Sequence, residues 1–319
     1  MLLTHWGVRG SFPTPGPQTL RYGGHTSCLD VTNAAGQRCI IDAGTGLLEL
    51  GARLRAAGQT GGEHHILLSH CHWDHIQGLP FFAPVLDPTA TLVIHGLQAS
   101  TTELSDIIAG ATRREFFPRD LGELRATFRF HAVEPGQPFA IPGFAVMPVR
   151  LNHPLGAVGY RLDADDTSFA YISDTAPFHE CLHKSHFLRG LEPLTDDDRT
   201  ALAKLEANLR VVLQDCDTVV YDTHFLPDEY ERFPHYGHST PDQALAVCHG
   251  IGVSTLVLFH HAPQHDDDTL DRMASHYAEL GAADGIRVVT ARDRLQLVVG
   301  DRTAAPVLLK PVLGAQGAA

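Results

Sequence analysis

Ser69-His70-Cys71-His72-Trp73-Asp74-His75 follows directly on the apolar run Ile66-Leu67-Leu68. A short apolar run that stops at a polar turn reads as a buried strand whose loop begins at its end. That loop carries three imidazoles and one carboxylate in the form His-x-His-x-Asp-His. Imidazole and carboxylate are the groups that Zn²⁺ and similar divalent ions bind. Alternate residues of an extended segment point the same way, so His70 and His72 can reach one ion. Where the chain turns toward a helix after Trp73, Asp74 and His75 can point to a second. A surface histidine cluster is the plain alternative, and the spacing after a strand argues against it.

The 319 residues are 44% apolar and 19% charged, as in a globular protein able to bury a sizeable core. The 24 basic and 37 acidic residues give a net charge of −13. That balance disfavours a broad nucleic-acid-binding face, which needs clustered Lys and Arg, but leaves room for a small anion held by metals. Cys28, Cys39, Cys71, Cys181, Cys216 and Cys248 form no C-x-x-C pair. They read as reduced and mostly buried, hence a cytoplasmic location. Met1–Trp6 shows no signal-peptide pattern, and no apolar run is long enough to span a bilayer.

Strands are expected at Leu2–Trp6, at Cys28–Val31 and Arg38–Ile41 as a hairpin, and at His65–Ser69 and Thr91–His95. Asp42-Ala43-Gly44-Thr45-Gly46 leads into the helical pattern Leu47–Ala57. Its glycines make either a strand-to-helix turn or a place where backbone N–H groups meet an anion. Ile76–Leu86 reads as a helix or turn, and 97–125 as less regular, with the charged run Arg113–Arg119 as a lid or a solvated face. Strands follow at Thr127–Val133, Phe139–Leu151, Ala157–Leu162 and Ser168–Ile172. They place His153 and Asp174 just past strand ends, as the first motif is placed. Thr195 caps a helix over Asp196–Leu213. Thr218–Tyr221 is a strand ending in Asp222-Thr223-His224. His238 precedes a helix that Thr240, Pro241 and Gln243 open with a capping box. Thr255–Phe259 is a strand ending in His260-His261, with a helix at Asp266–Leu280 and closing strands at Ile286–Ala291 and Leu295–Val299. Interleaved strands and helices predict one α/β domain over 1–313, with 97–130 and 178–215 as inserted or variable segments and a disordered tail at 314–319.

The set His70, His72, Asp74, His75, His153, Asp174 and His260, spread over strand ends, resembles the metallo-β-lactamase superfamily. The resemblance implies a four-layer αβ/βα sandwich and two divalent ions, zinc first, with manganese or iron as alternatives. It places one ion on His70, His72 and His153 and the other on Asp74, His75 and His260, with Asp174 bridging. His260 is preferred to His261 because the family ligand directly ends its strand. His238-Ser239-Thr240 is similar to the catalytic histidine motif of the ribonuclease Z and cyclic-nucleotide phosphodiesterase branch. Trp6-Gly7-Val8-Arg9-Gly10-Ser11, Arg21–Cys28 and Ile41–Gly46 resemble its bacterial phosphodiesterase-like members. Those members usually carry Asn where this chain has His25. No Gly/Pro-rich basic arm of the kind that clamps tRNA is present in the sequence.

The expected activity is therefore phosphodiester hydrolysis by a metal-bridging hydroxide, on a small or cyclic phosphodiester rather than an extended nucleic acid. Asp74 would also take a proton from the nucleophile, and His238 would act as general acid or phosphate-oxygen donor. Asp42 and Asp222 are candidates for orienting histidines from behind. Cys71 should point away from the ions, and His179, His183 and His186 should form a surface face. Ribonuclease Z-type cleavage of an RNA 3′ trailer and thioester or lactone hydrolysis are the enzymatic alternatives. A non-catalytic metal-binding module is the alternative of another class. A homodimer is compatible with all of them, and no membrane contact is expected.

Overall fold

The computed structural model describes residues 1–97, 101–179, 182 and 193–312. The expected disordered tail at 314–319, together with Cys181, His183 and His186, lies outside the described residues.

The chain opens with β1 (Leu2–Gly7), β2 (Cys28–Thr32), β3 (Arg38–Ile41) and α1 (Leu47–Ala56). Then come β4 (Gly62–Leu68), the single turn α2 (Trp73–Ile76), β5 (Ala90–Gly96), α3 (Thr101–Ala111) and β6 (Thr127–Ala132). Next are β7 (Phe139–Ile141), β8 (Phe144–Leu151), β9 (Ala157–Ala164), β10 (Thr167–Ile172), α4 (Asp196–Leu213) and β11 (Thr218–Asp222). After α5 (Pro227–Tyr230), α6 (Pro241–Cys248), β12 (Thr255–Phe259), α7 (Asp267–Ala283) and β13 (Arg287–Thr290), the chain closes with β14 (Leu295–Val298) and β15 (Val307–Leu308).

These elements make two compact units. The N-terminal unit comprises Leu2–Val133, Arg292–Leu297 and the chain from Ala305. Its eight-stranded sheet runs β15-β14-β1-β2-β3-β4-β5-β6, with β3 to β6 mutually parallel. Alternation along β4 and β5 sends Ile66, Leu68, Leu92 and Ile94 to the face where Leu47, Leu50 and Leu54 of α1 and Leu104 and Ile108 of α3 pack. Each such side chain contributes roughly 1.5–3 kcal/mol by leaving water. The C-terminal unit comprises Met1, Glu134–Ala291 and Val298–Ala304. Its seven-stranded sheet runs β13-β12-β11-β10-β9-β8-β7, with β10 to β13 parallel. β11 and β12 are buried at every position, as continuous apolar parallel strands are.

One expectation is corrected and three are made specific. The single strand expected over Phe139–Leu151 is two antiparallel strands, because Gly143 (φ +81°) closes a turn after Pro142. The helix or turn expected at Ile76–Leu86 is one helical turn followed by two 3-10 turns at Leu79–Phe81 and Ala83–Leu86. Pro80 and Pro84 supply no N–H to continue an α-helical ladder. The stretch 97–125, less regular with helical pieces in expectation, holds α3. In the Arg113–Arg119 run, Arg114 pairs with Asp120 and Glu123 on the surface, and Phe117 packs on the core.

Candidate metal centre

In the N-terminal unit, β4 stops at Leu68 and every motif side chain projects from the loop beyond it. His72 is still extended (ψ 153°) and caps α2, which turns Asp74 and His75 away from the extended segment. His70 Nε2 lies 2.8 Å from His72 Nδ1. Two imidazole nitrogens that close suit a shared proton or a cation. His75 Nε2 lies 3.3 Å from Asp74 Oδ2.

Asp42, at the end of the neighbouring β3, fixes this loop from behind. Its fully buried carboxylate accepts the Ser69 N–H (2.7 Å), the Ser69 hydroxyl (2.9 Å) and the His75 Nδ1–H (2.7 Å). With Nδ1 carrying the proton, His75 presents Nε2 as the lone-pair nitrogen. The Ser11 N–H donates to Asp74 Oδ2 at 2.8 Å. Cys71 packs against the apolar core, and burial pushes its thiol up to about 11.

The glycine turn is no anion cradle. The N–H groups of Ala43, Gly44, Thr45 and Gly46 bond to His75 O, Ser27 O, Thr26 Oγ1 and Thr26 O. Its glycines serve close packing: a Cβ on Gly44 would lie 2.3 Å from Asp74 O, and one on Gly46 would lie 2.4 Å from Trp6 C.

In the C-terminal unit, three expected ligands come together from the ends of β8, β10 and β12. His153 donates Nδ1–H to Gly237 O at 2.9 Å, which leaves Nε2 as its lone-pair nitrogen, 3.7 Å from Asp174 Oδ2. His260 Nε2 is 3.2 Å from Asp174 Oδ1. The His261 ring turns instead to Ala291 O, 3.0 Å away. Asp42, Asp174 and His260 all hold positive φ (57°, 57° and 63°) at strand exits. Such conformations cost on the order of 1–3 kcal/mol in non-glycine residues and cluster where function requires them.

His238 lies 3.0 Å through Nδ1 from Asp222 Oδ2 and 3.9 Å from Asp174 Oδ2. Asp222 is fully buried and also accepts the Thr175 and His224 N–H groups (3.0 and 3.1 Å). The Ser239 hydroxyl donates to Thr175 O at 2.5 Å, while Thr240 and Gln243 form the expected capping box on α6. This ties the His238 motif to the loop that carries Asp174.

His224 was not singled out in the sequence. Its ring stacks on His238 (4.3 Å, 19°), and its Nδ1–H donates to His260 O at 3.0 Å. His224, His238 and His260 offer ring nitrogens within 4.8 Å of one another. Burial, then the charges of His238 and His260, hold the His224 imidazole well below its ordinary value. Its signal was the same as the others': a metal-competent side chain just past a strand end.

His25 in the N-terminal unit contacts Thr45 Oγ1 (3.3 Å) through Nδ1, and its N–H donates to Asp293 Oδ2 (3.2 Å). Burial pushes Asp293 up to about 8 and lowers His25. His179 is exposed.

A family model described as the beta-lactamase superfamily domain matches residues 37–190. The match holds the whole His-x-His-x-Asp-His loop, His153 and Asp174. That segment of the chain is similar to the beta-lactamase superfamily domain. A protein named ribonuclease Z from Myxococcus xanthus is 26% identical over 228 residues, covering 64% of this chain and 71% of that protein. Another of that name from Haloferax volcanii is 24% identical over 296 residues, covering 84% and 86%. Among solved structures, the metallo-beta-lactamase fold protein YhfI from Bacillus subtilis aligns with a TM-score of 0.64 at 17% identity, covering 93% of this chain and 98% of that one. The short form of human tRNase Z gives 0.61 at 17%, covering 94% and 99%. A diphosphatase from the PhnP family gives 0.57 at 17%, covering 93% and 97%. The fold is thus the α/β fold expected. Its His and Asp side chains have the donor chemistry that divalent ions require.

Proposed function

We propose that this chain is a metallo-β-lactamase-type hydrolase that cleaves phosphodiesters with two divalent ions, zinc first. His70, His72 and His153 would hold one ion, Asp74, His75 and His260 the other, and Asp174 would be shared. Each of His75 and His153 has its Nδ1–H anchored on an oxygen, which supports Nε2 as the ligand atom. Bound ions supply Lewis acidity toward phosphoryl oxygens and acidify water. Asp74 accepts the proton of the attacking water. In this reading residues 1–313 act as one catalytic domain.

The observation that carries phosphodiester chemistry is the pair His238–Asp222. A carboxylate on Nδ1 holds the ring in orientation, with Nε2 turned to serve a phosphate oxygen or a departing alkoxide. An acyl substrate with a thiolate leaving group has less use for such an acid. The five free thiols Cys28, Cys39, Cys71, Cys216 and Cys248 support a reducing, cytoplasmic setting. No helix among the described residues is long and apolar enough to cross a membrane.

The second reading is cleavage of RNA. The relatives named ribonuclease Z favour it and weaken the exclusion of nucleic acid that charge suggests. The net charge of −13 favours a small substrate instead. A panel of bis(p-nitrophenyl) phosphate, a thioester, a lactone and a precursor tRNA, run with zinc and with manganese, separates the readings. Turnover of the first is expected; turnover of acyl substrates alone overturns the proposal.

A further inference from the structure

The stretch from Phe225 to His238 carries an aromatic cluster that the hydrolytic reading leaves without a role. Phe225 is buried, contacts the His238 ring edge-on at 6.1 Å and stacks on Phe233 at 5.4 Å and 17°. Tyr236 meets Phe233 and Phe225 edge-on at 5.6 and 6.3 Å. The exposed His235 tilts against it at 4.7 Å. Yet Tyr236 remains 45% exposed. The ring is therefore held in orientation by two perpendicular neighbours while much of its surface meets water. Core packing alone gives no reason for that exposure.

Its backbone is fixed on the candidate centre. The next residue, Gly237, adopts φ +82° and accepts the His153 Nδ1–H. A Cβ there would lie 2.7 Å from His153 Nδ1, so only glycine lets the chain pass so close to that imidazole. Tyr236 thus stands one residue from the backbone that holds His153 and two from His238. Through Phe225 the ring is linked to the His238 imidazole.

We infer that Tyr236, supported by Phe233 and Phe225, is a specificity-determining platform on which a planar ring of the substrate, a nucleobase, stacks beside His238. Every nucleobase has a π-face, so the platform selects for a ring without reading its identity. This inference rests on the phosphodiesterase reading above and adds the group next to the phosphorus.

The test uses the zinc-loaded full chain with bis(p-nitrophenyl) phosphate as reporter. Adenosine 5′-monophosphate and methyl phosphate serve as competitors, identical in charge and differing in the nucleoside. Wild-type protein should bind the nucleotide at least about tenfold more tightly than methyl phosphate. Tyr236→Ala should raise the inhibition constant of the nucleotide about 5- to 150-fold, the scale of one lost base–aromatic stack. The constant for methyl phosphate should hold, and Tyr236→Phe should retain the preference. A nucleotide constant unchanged in Tyr236→Ala, or both constants rising together, overturns the platform while leaving the hydrolytic reading intact. If wild-type protein turns over no phosphodiester at all, that reading fails first and takes the platform with it.

Discussion

Asp42 in the N-terminal unit and Asp222 in the C-terminal unit do the same physical work. Each ends a parallel strand, is fully buried, and accepts a backbone N–H from the exit loop of the neighbouring strand: Ser69 for Asp42, Thr175 for Asp222. Each also takes the Nδ1–H of one histidine, His75 at 2.7 Å and His238 at 3.0 Å. They differ in what that histidine is for. His75 is a proposed metal ligand, whereas His238 is a proposed proton donor. One device, a carboxylate that fixes a tautomer, serves ligation in one unit and acid catalysis in the other.

That contrast is sharpest when broken. The largest effect is expected for His153→Ala: kcat/KM toward bis(p-nitrophenyl) phosphate should fall by at least about 10³-fold, the scale of losing one charge-stabilising group. His238→Ala should lower kcat by about 10²- to 10⁴-fold while metal analysis still finds the wild-type complement. Ion loss in that variant would move His238 into the ligand set. The two carboxylates then separate. Asp42→Asn should weaken metal affinity about 10- to 100-fold, read by competition with a chelating dye. Asp222→Asn should weaken it less, because its carboxylate lies 3.0 Å from His238 Nδ1 but 3.8 Å from the Nδ1 of His260. A neutral amide no longer anchors the His238 ring through a charged partner, so kcat should fall in that variant. If both variants lose metal equally, the division of roles is wrong. The smallest effects belong to the glycines. Gly44→Ala would force a Cβ against Asp74 O, and Gly237→Ala one against His153 Nδ1 at positive φ. Each should cost about 1–3 kcal/mol in denaturant unfolding, the usual range for overpacking.

The candidate ligands of the N-terminal unit are legible because they are local. Four donors sit in six residues after an apolar strand, and Asp42 precedes a glycine turn. In the C-terminal unit, the capping box behind His238 is equally readable, since Thr240 and Gln243 satisfy each other within one helical turn. His153, Asp174 and His260 are isolated in sequence, and only their common place after strands, with a family resemblance, pointed to them. His224 shares that place but matches no expected motif, so it was passed over. The choice between anion cradle and turn at Gly44–Gly46 depended on hydrogen-bond partners that sequence does not display. The edge strand β15, two exposed residues long, leaves no periodic pattern to read.

The central claim is that residues scattered from His70 to His260 hold two ions that drive hydrolysis. Zinc bound per chain after saturation and desalting, followed through chelation and reloading, tests it most directly. The account predicts two zinc ions per chain, with phosphodiester turnover lost as they leave and regained as they return. No bound zinc, a single ion, or turnover that persists after both are stripped would contradict it.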